Sequence, residues 1–266
     1  MYIKHFLIHH ILENIYFLIS LTRFFKTPIG KKFYQYIYVK YKLFIEKKTL
    51  LQLPSFIKTG SLAIDVGANV GVYTKILSNA VGPTGNVIAI EPDPINIKIL
   101  ASKFKNSESN VLIVKAAASD KNEKLFLTQN NFNPAGSYIS NNGLPIRGVT
   151  VDELALNIKI PVSLIKIDVE GTEGNVIYGA KKVIKKYRPV IITEYTPKRL
   201  YNYGVDPIEL LSFLDKNGYS FCILGNNKPK VKILTIDKIY KFAKTKFTID
   251  LLCLPNLIEK EDSSSI

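Results

Sequence analysis

Residues 64–71 read IDVGANVG, an apolar run that leads straight into a glycine-bearing turn. A run of this kind, followed by a helical pattern, is typical of the first strand and ligand loop of a nucleotide-binding α/β fold. Gly67 permits a close backbone approach in the turn, and Gly71 permits tight packing at the start of the next helix. The stretch therefore predicts a ligand loop at the carboxyl end of a buried strand.

Short apolar runs alternate with helical patterns from Gly60 onward, which indicates a parallel sheet covered on both faces. We predict strands over 61–66, 86–91, 110–114, 163–169, 189–194, 219–224 and 247–254. We predict helices over about 71–80, 94–106, 174–187 and 207–217. No long helix is required between the last two strands, so a closing hairpin there would make a late strand antiparallel. Over 123–150 we expect short strands and an irregular loop.

The loop argues against the two common phosphate sites. No Gly-Lys-Ser/Thr follows it, which excludes a P-loop, and its spacing departs from G-x-G-x-x-G. Asp65 at the head of the loop would repel a pyrophosphate but suits a cationic ligand. Glu91, which ends the second predicted strand, can accept both hydroxyls of an unphosphorylated ribose. These features together predict a site for S-adenosylmethionine, whose amino group and sulfonium are positive.

Five motifs resemble the FkbM family of S-adenosylmethionine-dependent methyltransferases. They are IDVGANVGVYT (64–74), VIAIEPDP (87–94), AAASDK (116–121), LIKIDVEGTEGNVIYGAKKVI (164–184) and RPVIITEYT (188–196). The resemblance covers about residues 60–196. It implies a class I methyltransferase with a Rossmann-like α/β fold, whose seven-stranded sheet is mostly parallel with a late antiparallel strand. It also implies methylation of a hydroxyl on a glycan, lipid-linked or natural-product acceptor.

The resemblance also implies which residues hold the cofactor. Glu91 would bind the ribose, with Pro92 beside it, and Asp168 would contribute from the fourth strand. The loop residues that would line the methionine end are Asp65, Gly67, Ala68, Asn69 and Gly71. The residues that would meet the adenine are Ala118, Ser119 and Asp120. For Asp120, a salt bridge to Lys121 or Lys124 fits equally well.

The transfer chemistry requires an aligned acceptor and a group that removes its proton. All three histidines lie in the first ten residues, so carboxylates are the candidates in the rest of the chain. Asp168 and Glu170 follow the fourth strand, where open parallel sheets bind ligands, and in an extended segment they share a face. Glu173 fits better as a first-turn acid on a helix dipole.

FkbM members often read Glu-x-His after the fifth strand, but this chain reads EYT from Glu194. The missing histidine makes Glu170 the better candidate for the base, with Asp168 and Glu194 positioning substrate or cofactor. We expect no metal ligands, although a divalent ion bridging Asp168 and Glu194 stays an alternative.

The charge is concentrated at the amino-terminal end. The chain carries 36 Lys and Arg against 22 Asp and Glu, a net +14, and residues 1–50 hold nine basic and two acidic residues, a net +7. This balance favours anionic partners such as phosphate-bearing lipid, nucleic acid or acidic glycan. An apolar helix over 6–21 is followed by the basic-aromatic stretch 31–48, which suits a membrane surface. A helix packed on the main domain, or an oligomer contact, fits equally well.

We predict three parts: an apolar and basic helical extension over 1–50, a methyltransferase domain over 51–256 and a disordered tail over 257–266. The expected location is the cytoplasm, at the membrane periphery if the extension contacts lipid. Cys222 and Cys253 lie in apolar runs and are expected to be buried free thiols. Two alternatives stay open: an RNA methyltransferase that uses the basic surface for phosphate contacts, and a cofactor-binding relative that has lost catalysis. Nucleic acid is the less favoured acceptor, because no aromatic stacking motif accompanies the lysines.

Overall fold

The computed structural model describes residues 46–105, 109–129, 136–224, 233–246 and 248–256, preceded by residues 30, 36–37, 39–40 and 42–44. The predicted apolar helix over 6–21 and the predicted tail over 257–266 lie outside these residues. Among the helices in the described part of the chain, none has both the length and the apolar content that a membrane crossing requires.

From residue 46 onward, the helices are α1 (Lys47–Gln52), α2 (Val72–Val81), α3 (Pro94–Lys103), α4 (Val151–Leu156), α5 (Glu173–Tyr178), α6 (Lys181–Tyr187), α7 (Pro197–Asn202), α8 (Pro207–Lys216) and α9 (Ile236–Lys246). The strands are β1 (Leu62–Val66), β2 (Asn86–Glu91), β3 (Val111–Lys115), β4 (Ala117–Ala118), β5 (Glu123–Thr128), β6 (Tyr138–Ser140), β7 (Leu144–Val149), β8 (Val162–Ile167), β9 (Val190–Tyr195), β10 (Tyr219–Ile223) and β11 (Ile249–Pro255).

Seven strands form the main sheet in the order β10-β11-β9-β8-β1-β2-β3. Neighbouring strands are parallel except at β11, which runs antiparallel to both β9 and β10. The chain builds outward from β1 to β3 and then returns to β8 on the other side of β1. The loops after β1 and β8 therefore diverge, and open α/β sheets bind ligands in the crevice at such a switch point. The predicted seven-stranded sheet with a late antiparallel strand is confirmed.

Both faces of the sheet are covered, which explains why its strands read as continuous apolar runs. Every residue of β1 is buried. Its side chains alternate between two hydrophobic clusters: Ile64 packs with residues of α5, α6 and α8 on one face. On the other face Ala63 packs with α2 and with Leu53 in the short 3-10 turn after α1. Cys222 and Cys253 are buried free thiols, as predicted.

A second, four-stranded sheet has the order β4-β7-β5-β6. Its strands β5, β6 and β7 fall within the stretch where short strands were expected, and β5 pairs antiparallel with both neighbours. The hydroxyl of Tyr203 donates to the Ile139 carbonyl (2.7 Å), which ties β6 to the segment after α7. This sheet forms one wall of the candidate site.

Two predictions about the helices are wrong. No long helix was expected between the last two strands, but α9 lies in the connection between β10 and β11 and buries Ile239 and Ala243 in the core, while the two strands pair antiparallel. The lysines of α9 obscure this apolar stripe in the sequence. The helix predicted over 174–187 divides into α5 and α6 at Gly179, where an added Cβ would lie 2.0 Å from the Ser119 carbonyl oxygen. A side chain cannot be accommodated at this position, because the backbone of another segment passes that close.

Candidate active site

The loop after β1 has an unusual backbone that brings it against the end of β8. Gly67 and Gly71 have φ angles of +75° and +81°, and Asn69 between them has φ +50°. A Cβ on Gly67 would lie 1.9 Å from the Asp168 carbonyl oxygen. Only glycine fits this position, because both the left-handed backbone and the contact exclude a side chain. The ligand loop thus touches the chain that carries the candidate carboxylates.

A cavity of ≈ 550 Å³, counted with its open mouth, lies at the carboxyl ends of β1, β2 and β8. Several predicted site residues line it: Gly67, Asn69, Glu91, Pro92, Ala118, Asp168 and Glu170. A smaller cavity of ≈ 200 Å³ shares Gly67 and Asn69 with it and adds Ala68, Lys42 and Lys166. The structure therefore gathers the carboxylates and the glycine loop around two neighbouring cavities.

Glu91 is buried at the end of β2 and is held by three N–H donors. Its Oε2 accepts from the Asn69 backbone N–H (2.7 Å), and its Oε1 accepts from the Asp93 backbone N–H (2.9 Å) and from Asn96 Nδ2 (3.3 Å). Burial raises the pKa of Glu91 to about 7, although these hydrogen bonds oppose the shift. A carboxylate offers about four acceptor positions, so one remains for a ligand hydroxyl.

Asp65 does not line either cavity, which corrects the expectation that it meets the methionine end. Its fully buried side chain accepts from Thr74 Oγ1 (2.6 Å) and pairs with Lys166 Nζ (3.4 Å). Lys166 lies directly beside it in the register of β1 and β8. The alternation of side chains along β1 turns Asp65 toward α2 and away from the open edge of the sheet. Lys166 supplies the positive charge that is expected there from a cationic ligand. Gly71 likewise lies outside the cavities, as the residue before α2.

Asp168 lines the larger cavity and forms ion pairs with two lysines that line the smaller one. Its Oδ2 lies 3.2 Å from Lys42 Nζ and 3.4 Å from Lys166 Nζ. Burial alone would raise the pKa of Asp168, but the two ammonium groups outweigh it and hold the pKa well below its usual range. Asp168 is therefore a permanent anion at neutral pH and a weak base.

Glu170 does not continue the strand, so it does not share an extended face with Asp168 as expected. Its φ of +61° places it in the left-handed region, and its Oε2 accepts from Arg199 Nη1 at 2.7 Å. Burial raises the pKa of Glu170, and the Arg199 guanidinium opposes the shift without cancelling it. Glu170 still lines the same cavity as Asp168. Of the two carboxyls, Glu170 is the one whose pKa moves toward neutrality.

Glu194 lies outside the cavity lining and connects to it through Arg199. Its Oε2 is 3.4 Å from Arg199 Nη1, and its Oε1 accepts from Thr248 Oγ1 at 2.5 Å. Arg199, on α7, has a half-exposed side chain that bridges Glu170 and Glu194. Glu194 thus orients the arginine that orients Glu170.

Glu173 has the local role that its position predicts. It begins α5, and its buried Oε1 accepts from the backbone N–H of Gly171 at 3.0 Å. Burial raises the pKa of Glu173 to about 7. The side chain folds back over the turn that carries Glu170, so it fixes that turn.

The wall expected to meet adenine is built from small apolar residues. Ala118 lines the cavity together with its neighbours 116 and 117. Ser119 and Asp120 do not: Ser119 is buried and its hydroxyl lies within hydrogen-bond distance of Asp120 and Glu123, while Asp120 is exposed. Lys121 pairs with Glu123 instead of Asp120 (3.5 Å). The chain turns outward after β4, which carries the two polar residues away from the cavity.

The cavity residues 137–139 were missed in the sequence, and so was Asp93, which positions them from outside the cavity lining. Asp93 caps α3 by accepting from the Ile95 backbone N–H (2.8 Å), and its other oxygen accepts from Ser137 Oγ (2.8 Å). Asp93 thereby holds the segment before β6 over the cavity. The Asp-Pro pair at 93–94 is a helix-start signal that could have found the cap, whereas the contact with Ser137 spans 44 residues and has no local signal. Across the described ranges, no group of three or more His, Cys, Asp or Glu side chains is arranged to hold a metal ion.

A family model described as the methyltransferase FkbM domain matches residues 65–221. A comparison with curated proteins found no match. Among solved structures, the chain is similar to a methyltransferase FkbM from Methylobacillus flagellatus KT, with 17% identity and a TM-score of 0.47 over 74% of this chain. This chain spans 44% of that protein's length.

Two further solved structures are similar to this chain. One is a putative rRNA-methylase from Clostridium thermocellum, with 13% identity and a TM-score of 0.45 over 78% of this chain and 93% of the other. The second is fibrillarin from Aeropyrum pernix in complex with natively bound S-adenosyl-L-methionine, with 13% identity and a TM-score of 0.42 over 78% and 73%.

Proposed function

We propose that this chain, which belongs to the FkbM methyltransferase family, transfers a methyl group from S-adenosylmethionine to a hydroxyl of a glycan, lipid-linked or natural-product acceptor. The observation that carries the proposal is the cavity at the sheet edge. It brings together the glycine loop, the Glu91 carboxylate, which can accept from a ribose hydroxyl, and the Glu170 carboxyl, whose pKa is raised.

The residues of this cavity suit the cofactor in three zones. The small side chains 116–118 leave a flat apolar wall for a purine, and Glu91 keeps an acceptor position for a ribose hydroxyl. Gly67 lets the backbone approach closely, and Asp168 keeps its Oδ1 outside the two ion pairs as an acceptor for the amino group of the ligand. When bound, S-adenosylmethionine supplies an electrophilic methyl group on its sulfonium sulfur.

We assign the base role to Glu170. A base works best with a pKa near the operating pH, and burial moves the pKa of Glu170 upward while that of Asp168 lies far below. Arg199 holds the Glu170 carboxylate in place, and Glu194 holds Arg199. In this assignment Glu170 accepts the proton of the acceptor hydroxyl, and Asp168 and Glu194 act as positioning residues.

The hydroxyl acceptor follows from the same chemistry. A hydroxyl must lose its proton during transfer, and a carboxyl with a raised pKa lines the cavity. The partner is thus a hydroxyl-bearing molecule, with residues 1–50 available for contact with a membrane. We place the protein in the cytoplasm or at the cytoplasmic membrane surface.

The test follows labelled methyl groups from S-adenosylmethionine into separate glycan, lipid and RNA fractions from the source cells. Label in glycan or lipid supports the proposal. Glu170→Gln should lower turnover by about 10²–10⁴-fold with unchanged cofactor affinity, while Glu209→Gln, an exposed control, should match wild type. Label confined to RNA would replace the proposal with base or ribose methylation of RNA. Intact cofactor binding with no label in any fraction would indicate a non-catalytic relative.

A further inference from the structure

The segment before α1 presents a face of exposed apolar side chains. Residues 36–37, 39–40 and 42–44 are helical. Hydrogen bonds from Glu46 N to Lys42 O and from Leu50 N to Glu46 O, both 2.9 Å, connect them to α1. Of the eleven exposed large hydrophobic side chains in the described residues, five lie in this segment or in α1. They are Tyr36, Ile37, Leu43, Phe44 and Leu51, with exposures from 39% to 70%.

These side chains share one side of the helix with two lysines. At 3.6 residues per turn, the five apolar residues and the exposed Lys40 and Lys47 fall within an arc of about 120°. Lys40 lies over the ring of Tyr36, 5.6 Å from its centroid. We call these seven residues the outer face. It carries no acidic residue, which distinguishes it from an ordinary solvated helix face.

The opposite side of the same helix is fixed on the domain. Leu50, next to the edge of the outer face, is buried in the core beside α2, and on the opposite side Lys42 reaches Asp168 at the candidate site (3.2 Å). The outer face is therefore not the side that packs against the sheet. The helix joins two surfaces: its inner side belongs to the site, and its outer side carries the apolar and basic groups.

We propose that the outer face docks on an anionic lipid bilayer. Apolar and aromatic side chains flanked by lysines are the chemistry that interfacial helices use, with apolar groups at the acyl boundary and ammonium groups among the phosphates. The charge of residues 1–50, nine basic against two acidic, complements that surface. A second protein surface would not require this excess of positive charge.

Docking in this orientation would restrict which methyl acceptors reach the candidate site. This consequence rests on the proposed methyl transfer. The outer face and Lys42 lie on opposite sides of one helix, about 10–12 Å across. The candidate site then lies close to the headgroup layer, where the hydroxyl of a lipid-linked acceptor would be found. The acceptor class narrows accordingly to molecules anchored in the membrane.

The test measures sedimentation of the full chain with vesicles of phosphatidylcholine alone or mixed with phosphatidylglycerol. We expect binding to the anionic vesicles only, weakening as salt rises. At ~1 kcal/mol per lysine, Lys40→Gln/Lys47→Gln should weaken binding by about thirty-fold. The control pair Lys185→Gln/Lys186→Gln, equal in charge change and exposed on α6, should bind as wild type does.

A second pair of variants tests the apolar part. Leu51→Glu on the outer face should reduce vesicle binding, whereas Ile208→Glu, an exposed position on α8, should not. Absence of binding by the folded wild type would overturn the proposal, and so would equal binding by all variants. A dimer that Leu51→Glu dissolves, without lipid binding, would assign the face to a second copy instead. None of these readouts depends on methyl transfer, so failure here leaves the proposed function to its own test.

Discussion

Gly67→Ala is the substitution for which the loop geometry predicts the clearest loss of stability. The added Cβ would lie 1.9 Å from the Asp168 carbonyl oxygen, whereas ordinary contacts are 3.4–4 Å. That oxygen belongs to the backbone at the end of β8, so about 1.5 Å of separation between two central strands is required. The same substitution also puts alanine at φ +75°.

Gly204→Ala separates the two effects. Gly204 has the same φ of +75°, but an added Cβ meets nothing within 4 Å. Left-handed strain costs ~1–2 kcal/mol, partly offset by the reduced entropy of the unfolded chain, so we expect a loss of about 1 kcal/mol there. Overpacking against backbone adds about 2 kcal/mol at Gly67. Gly67→Ala should therefore lose about 3 kcal/mol in total.

Urea unfolding gives both free energies, and thermal unfolding should show a Tm for Gly67→Ala that is roughly 4–8 °C below that of Gly204→Ala. Calorimetry should show at least about tenfold weaker cofactor binding for Gly67→Ala and unchanged binding for Gly204→Ala. Equal stability of the two variants, or full cofactor affinity in Gly67→Ala, would refute the close approach of the loop to β8.

Three further predictions concern the charged groups. Burial raises the pKa of Glu91 in the folded state to about 7 from 4.5, so the folded state holds an extra proton between these pH values. The free energy of unfolding should therefore fall by about 3 kcal/mol as pH rises through this window. The fall should be smaller in Glu91→Gln. Lys166→Met leaves buried Asp65 unpaired and should cost about 3–5 kcal/mol in urea unfolding, partly restored by adding Asp65→Asn; no restoration would disprove the pairing. Arg199→Gln removes the group that opposes the raised pKa of Glu170, so the acid limb of the kcat–pH profile should move to higher pH, and an unmoved limb would count against Glu170 as base.

The fold was predictable from the sequence because local pattern and burial agree along most strands. The second strand was predicted over 86–91, and β2 has these bounds. Strands buried on both faces produce uninterrupted apolar runs, which have clear ends. The class I methyltransferase fold and the FkbM family followed from the motifs and are confirmed. Helix α9 was not predicted because four lysines alternate with the apolar residues that anchor it.

Site residues were predictable where their role depends on a single segment of sequence. They were not predictable where the role depends on a contact between two distant segments. Gly67 and Glu91 line the cavity, and their roles in cofactor binding stay predictions. Asp65 was misread because its partner, Lys166, lies about 100 residues away on the neighbouring strand. A lysine within an otherwise apolar strand does signal a buried acid, since an unpaired buried ammonium is costly. The left-handed turn at Glu170 and its contact with Arg199 have no such signal in the periodicity.

The measurement that tests the central claim most directly is calorimetric titration of the wild type and Glu91→Ala with S-adenosylmethionine, S-adenosylhomocysteine and NAD. We predict micromolar binding of both adenosyl compounds and none of NAD. Glu91→Ala should weaken that binding at least about tenfold, because it removes the carboxylate assigned to the ribose. Failure of the folded wild type to bind either adenosyl compound would contradict the assignment of the cavity, and with it the proposed methyl transfer.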